Sequence, residues 1–270
     1  MTINEIFGKL EFFFSSRKLN LYKTFYLNFR SLPFPQAIKF PIYVYEGIEI
    51  VSLKGKIVIN SPISRGMIKF GCKTKFELIP THKSRIFNNG TIEFKGNASF
   101  SNGFLLYLSK LESKIQIGID CFFAENISIV SNSESAISIG DYSRIAYNTT
   151  INNSDFHFII DKESRKISHN SDVIQIGKNN WIGNGVRILK RTTTPDKTIV
   201  TANAILNKNY CTSMSEGSII GGMPAKLIKD GQYRVFSLKS EKMLNDFFYK
   251  NPSQLFILDK DIDINEFCKR

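Results

Sequence analysis

The chain has 270 residues, 42% of them hydrophobic, enough for one large domain with a sizeable core. Its 36 Lys and Arg against 24 Asp and Glu give a net charge of +12, which favours anionic partners. The basic residues are scattered and form no Lys/Arg block interleaved with aromatics, which argues against nucleic acid, and no run of ~18 apolar residues would span a membrane.

In chain order, Met1 to Lys9 is polar and mixed in charge and does not read as a secretory leader. Residues 1–50 are irregular and aromatic-rich. Leu10–Phe14 (LEFFF) and Leu21–Phe34 set Phe and Tyr beside Lys and Arg. The preferred reading is a short helix packed on the main domain; the alternative is a basic, aromatic segment lying peripherally on a membrane surface. Pro33, Pro35 and Pro41 are expected to break any helix.

From Val51 the pattern becomes short β-rich pieces such as KGKIVINSPI, GTIEFKGNASF and SKIQIGIDCFF. Helical periodicity is absent to about residue 225, which leaves a sandwich, a barrel or a solenoid. A count in sixes decides among them. Ile176, Ile182, Ile188, Thr194, Val200 and Leu206 are aliphatic or β-branched, and Gly177 and Gly183 follow the first two. The residues four beyond the later starts are Val186, Thr192, Thr198, Ala204 and Tyr210. Earlier registers run Ile139, Ile145, Ile151 and Ile117, Phe123, Ile129, with Gly140 and Gly118 after their first members. Six residues make one flat side of a triangular coil with one aliphatic side chain pointing inward, and Gly helps the backbone turn at the corner. A sandwich would show strict alternation and regular hairpin turns. The expected fold is therefore an all-β solenoid, a parallel β-helix over residues 51–225 with short appendages at 1–50 and 226–270.

Between Ile151 and Ile176 the register slips, and the polar stretch SDFHFIIDKESRKISHNSD reads as a loop, residues 156–172, thrown out of the coil. After residue 226, SEKMLNDFFYK reads as a short amphipathic helix with Met243, Leu244, Phe247 and Phe248 on one side.

The chemistry-bearing residues are few. His157 falls where the next inward residue would lie, at the mouth of the loop, so its imidazole need not be buried. A histidine suits proton removal from a hydroxyl near neutral pH. Asp155, two residues away, either orients the ring, meets the acceptor or shapes an Asx turn; His169 reads as a loop residue. Trp181 precedes an inward position and should point outward, as a corner residue or as an aromatic wall beside a substrate, and Tyr147 is a second candidate for substrate contact. Cys72, Cys121, Cys211 and Cys268 show no CxxC pair, and the histidines lack metal spacing, so the cysteines are expected to be reduced, in the cytoplasm, and no metal is expected.

The segments IGKNNWIGNGVRILK, TIVTANAIL and GGMPAKLIK resemble the C-terminal signature of the hexapeptide-repeat acyltransferases. The SDFH element ahead of a long loop and the Trp of the IGxxxWIG hexad resemble the narrower group of capsule, lipopolysaccharide and sialic acid O-acetyltransferases. The resemblance implies a left-handed β-helix, a homotrimer, acetyl-CoA as donor and a hydroxyl of a bacterial surface polysaccharide sugar as acceptor. It implies His157 as general base and Trp181 near the acetyl group. It also implies Gly183, Gly185 and Ala202 along the pantetheine arm, Pro224 by the adenine, and Lys226 and Lys229 at the phosphates. Residues depart from the pattern at Arg191 and Pro195, where Gly is usual, and at Met223, where Asn is usual; the corner at 191–195 is expected to be altered. An N-acetyltransferase acting on an amino sugar nucleotide or an antibiotic, and a non-catalytic structural β-helix, are the competing readings. The enzyme is expected in the cytoplasm or peripherally at the inner membrane.

Overall fold

A computed structural model describes residues 18–73 and 82–268. The Leu10–Phe14 segment lies outside the described residues. The fold is a left-handed parallel β-helix with three faces. The first face stacks Ile42–Val44, Ile68–Phe70, Ala98–Phe100, Cys121–Phe123, Arg144–Ile145, Trp181–Ile182, Ile199–Val200 and Ile219–Gly221 in parallel, then adds Lys226–Lys229 antiparallel. The second face runs from Ile48–Leu53 through Thr150–Asn152 and Arg187–Leu189 to Ile205–Leu206. The third runs from Lys56–Ile59 through Ala136–Ile139 to Ile174–Ile176, and single bridges through Thr193 to Asn209 extend it.

The three sequence registers lie directly on one another. Ile117 pairs with Ile139 and Ile139 with Ile176 on the third face. Phe123, Ile145, Ile182 and Val200 stack on the first, and Ile129, Ile151, Ile188 and Leu206 on the second. All are buried and form one aliphatic column. Thr194 is the polar exception: its hydroxyl donates to the Asn180 side chain at 2.8 Å and accepts from the Gly177 N–H at 3.1 Å. Toward the N-terminus the column turns aromatic, with Phe100 stacked on Phe123 at 4.2 Å and Phe70 on Phe100 at 5.2 Å. The β structure begins at Ile42, ahead of the composition change at Val51.

The corners follow a rule the sequence count did not supply. At six corners the third residue after the inward side chain has a positive φ: Asn148, Asn179, Gly185, Arg191, Lys197 and Asn203 all lie between 55° and 69°, while the corners after Ile129, Ile151 and Leu206 are built differently. The fourth is buried, and where it carries a hydroxyl it ties the turn. Thr149, Thr192 and Thr198 donate to the carbonyl three residues back at 2.7 to 2.8 Å. The glycine immediately after the inward residue serves another purpose than turning. A Cβ on Gly177 would stand 2.5 Å from the Pro195 carbonyl oxygen of the next coil, so glycine there permits close stacking. Arg191 replaces the usual glycine yet holds φ 68°, so this corner keeps its shape rather than changing it, and the Arg191 guanidinium pairs with Asp172 at 3.1 Å.

Helix α1 (Leu21–Ser31) lies beside the first strand and closes its edge. The Asn28 amide donates to the Ile42 carbonyl at 2.8 Å, and its oxygen accepts from the Ile42 N–H at 3.2 Å. The Thr24 hydroxyl accepts from the Val44 N–H at 3.0 Å. These bonds satisfy strand groups that an open sheet edge would leave exposed. The prolines do not abolish helix altogether, because Pro33 caps a four-residue helix α2 (Phe34–Ala37) in which Pro35 takes an early position where no N–H is needed. At the other end, Arg234 and Phe236 run back along the coil ahead of helix α3 (Leu238–Lys250) and helix α4 (Ile264–Cys268).

Candidate active site

The coil leaves its path earlier than the hexad count places the departure. Asn153, not residue 157, takes the buried position after Ile151, and its amide donates to the Ser133 hydroxyl at 3.2 Å and the Ser135 carbonyl at 2.7 Å. An antiparallel bridge between Ser154 and Ser171 closes the neck of the loop, and Ile159–Ile160 pairs antiparallel with Ile167–Ser168 beyond it. The loop is thus a short hairpin on a rigid base. Phe156 turns the chain at φ 65°, with its N–H bonded to the Ser154 hydroxyl at 3.0 Å, and so presents His157 to solvent.

His157 lines a cavity of about 260 Å³ with Asp155, Ile159, His169, Lys190 and Arg191. Asp155 does not orient the His157 ring. Its carboxylate pairs with the Lys190 ammonium at 2.7 Å, which also donates to the His169 carbonyl at 2.9 Å. Lys190 is largely sheltered, and the pair ties the hairpin base to the next coil, with Lys190 lining the same cavity as His157. Lys190 has no mark in the sequence that points to this role, and His169, expected as a loop residue, lines the cavity as well. Lys190 lies two positions beyond an inward Ile188, a spacing any solvent-facing lysine of a coil would show.

Trp181 points outward, as expected, with 42% of its surface exposed. The Arg234 guanidinium lies 5.0 Å from its ring centroid and 5.3 Å from that of Phe236, and Arg144 covers the Phe236 ring at 4.5 Å. Arg234 loses hydration there, so burial pulls its guanidinium down from the ordinary arginine range. This clamp was not legible in the sequence, because no periodicity links Arg234 to a residue so far upstream. Trp181, Tyr147, Arg144 and Arg234 line a second, smaller cavity of about 190 Å³ on the first face. Burial raises the Tyr147 phenol, and the Glu125 carboxylate adds to the effect.

The residues expected along a cofactor converge on one corner, between the first and second faces. The Gly185 N–H bonds the Tyr147 carbonyl, the Asn203 N–H bonds the Asn184 carbonyl and the Ile205 N–H bonds the Gly222 carbonyl. Tyr147, Gly183, Gly185, Ala202 and Pro224 therefore climb a single edge, ending at Lys226–Lys229, whose residues are exposed. Ala202, Gly222 and Pro224 are exposed and small, which leaves backbone accessible to a thin chain, and the two lysines supply point charges suited to phosphate. Gly183 is a different case: its missing side chain is accounted for by the Val200 carbonyl oxygen, 2.7 Å from where a Cβ would stand.

Within one chain His157 is not brought to the other parts. It lies at the corner after the second face, whereas the Ala202 edge lies at the corner before it, with Trp181 and Tyr147 sharing a cavity on the first face next to that edge. One face of about six residues spans roughly 15–20 Å. Among the described residues no group of three or more His, Cys, Asp and Glu is arranged to hold a metal, and all four cysteines are free thiols.

No family model matches the chain, and no curated protein matches it. Solved structures that match include the polySia-specific acetyltransferase NeuO at 17% identity, covering 76% of this chain and 99% of that one, with a TM-score of 0.48. The polysialic acid O-acetyltransferase OatWY matches at 20% identity over 74% and 99%, TM-score 0.43. AntD, an N-acyltransferase from Bacillus cereus described with dTDP and 3-hydroxybutyryl-CoA, matches at 15% identity over 78% and 89%, TM-score 0.41.

Proposed function

We propose that the protein is an acyltransferase that moves an acetyl group from acetyl-CoA to a hydroxyl of a surface polysaccharide sugar. The observation that carries this reading is one pairing. An exposed imidazole stands in a small cavity on an extruded hairpin, and the same coils carry an open backbone edge that ends in two lysines. In this reading His157 takes the proton from the acceptor hydroxyl as its oxygen attacks the thioester carbonyl; the C–S bond then breaks, leaving the acetyl ester, and the proton passes to the departing CoA sulfur as free thiol. The Lys190 ammonium, held by Asp155, keeps the hairpin in place. Lys226 and Lys229 meet the phosphates of the donor, and Trp181 walls the acyl end. The coil puts the base and the donor edge on different corners, so the site is completed between copies, and we infer a homotrimer.

The reading is tested by acetyl-CoA turnover, followed as free thiol, with a panel of acidic and neutral bacterial glycans. Wild type should release thiol only with acceptor, and His157→Ala should lose roughly 10²–10⁴-fold. The product should lose its acetyl group in mild alkali, as an ester does and an amide does not. Thiol release that is equal in wild type and His157→Ala would overturn the role of His157.

A further inference from the structure

We infer that helix α1 and the turn after it form a platform for an anionic lipid bilayer, separate from the acyl-transfer site. Residues 18–41 hold Lys18, Lys23, Arg30 and Lys39 and no Asp or Glu. The inward side of α1 is spent on the coil: Thr24, Leu27, Asn28 and Ser31 are buried, and Thr24 and Asn28 bond the first strand. The outward side is apolar. Leu21, Tyr22, Phe25 and Tyr26 are 74%, 77%, 54% and 40% exposed, and Phe34 and Ile38 continue the patch at 68% and 50%. The rings form two groups on this side, Tyr22 parallel to Tyr26, and Phe25 stacked on Phe29 at 4.4 Å with Phe29 edge-on to Phe34 at 6.1 Å.

A helix mounted this firmly does not need an apolar outer face for its own folding, so that face has another partner. The one carboxylate that lines the groove beside Tyr22 and Tyr26, Glu49, is paired with Arg85 at 3.0 Å, and Lys83 lines the same groove. Aromatic rings mixed with aliphatic tips, on a segment whose own charges are all cations, are the composition of a helix lying in the headgroup layer. A sugar chain would use the tyrosine faces and the lysines but would leave Leu21, Phe34 and Ile38 in water. Charge selects the bilayer further, because each basic residue near an anionic surface strengthens binding on the order of fivefold.

The test is co-sedimentation of the full chain with vesicles of phosphatidylglycerol and phosphatidylethanolamine, against pure phosphatidylcholine, at low and high salt. Variants are the outward double change Tyr22→Ser with Phe25→Ser, the charge change Arg30→Glu with Lys39→Glu, and Leu111→Ser as an equally exposed apolar control on the coil. We expect binding to the anionic vesicles, weaker at high salt. Each double variant should lose it at least tenfold with an unchanged melting temperature, and Leu111→Ser should leave it intact. Failure of the wild type to bind anionic vesicles, or equal binding by the Tyr22/Phe25 variant, overturns the proposal. So does a change in the mass of that variant in solution by light scattering without a change in vesicle binding, which would make the face a contact between copies.

Discussion

The left-handed corner residue is the smallest unit on which this fold depends. Gly185 holds φ +69°, and a Cβ there would stand 2.3 Å from the Asn203 side-chain oxygen of the coil above. Gly185→Ala should therefore cost about 1–3 kcal/mol, read as a lowered midpoint in chemical denaturation. An unchanged midpoint would mean that the corner relaxes freely. The cysteines offer an independent check on burial. Cys121 is pushed up to about 12 and Cys72 to about 11, in both cases chiefly by burial, whereas Cys211 is exposed. At pH 7.5 iodoacetamide should alkylate Cys211 at least tenfold faster than Cys121, as followed by peptide mass spectrometry, and Cys121 should react fully only in denaturant. At this scale the sequence was legible where chemistry is local. The outward side chain of Trp181 could be read from its position in the count of six, whereas the count put the departure of the loop at residue 157, four residues late. The partners Lys190 for Asp155 and Arg234 for Trp181 could not be read, because both contacts join segments that only the folded coil brings together.

Among elements, the coil and the hairpin obey different rules. Coil strands are held by parallel pairing and an inward column, which leaves a strong six-residue signal. Such a signal survives polar substitutions like Thr194, because a buried hydroxyl can be satisfied within the corner. The hairpin has no such column, since Phe158, Ile159, Ile160 and Ile167 are all exposed. Its existence was visible as a break in register. Its antiparallel pairing and its neck at Ser154 and Ser171 were not, because Asn153 fills the inward position with a polar side chain. The terminal strand Lys226–Lys229 turns back antiparallel for the same reason: no inward residue marks its direction. Replacing residues 156–170 with a short Gly-Ser turn should leave the circular dichroism spectrum and melting temperature close to wild type, since the neck and the inward column are kept. The same change should abolish acceptor-dependent thiol release. A variant that melts far lower would show the hairpin to be part of the structural core.

For the whole molecule, the three corners of the prism carry different features. One corner carries the hairpin with His157, another the open edge with Ala202 and the lysines, and the third is covered by the returning C-terminal segment, where Lys197 bonds Asn265 at 3.0 Å. A triangular coil cannot bend one corner toward another, so a reaction that needs both the base and the donor edge requires a second chain. That division was only partly legible. The six-residue count fixes which residues share a face, but the corner at which each loop leaves follows from the register slip between Ile151 and Ile176 and from the extra residues in the earlier coils. The net charge of +12 favours anionic partners without specifying which.

The most direct test of this division is complementation between two inactive chains. His157→Ala removes the proposed base, and Ala202→Trp blocks the proposed donor edge at an exposed residue without touching the core. Each variant alone should be nearly silent in acetyl-CoA turnover. Unfolded together in equal amounts and refolded, they should regain about a quarter of wild-type activity, because random pairing leaves that share of interfaces with an intact base facing an intact edge. Activity that stays at the level of the single variants after mixing would show that base and donor edge act within one chain, and would contradict the account.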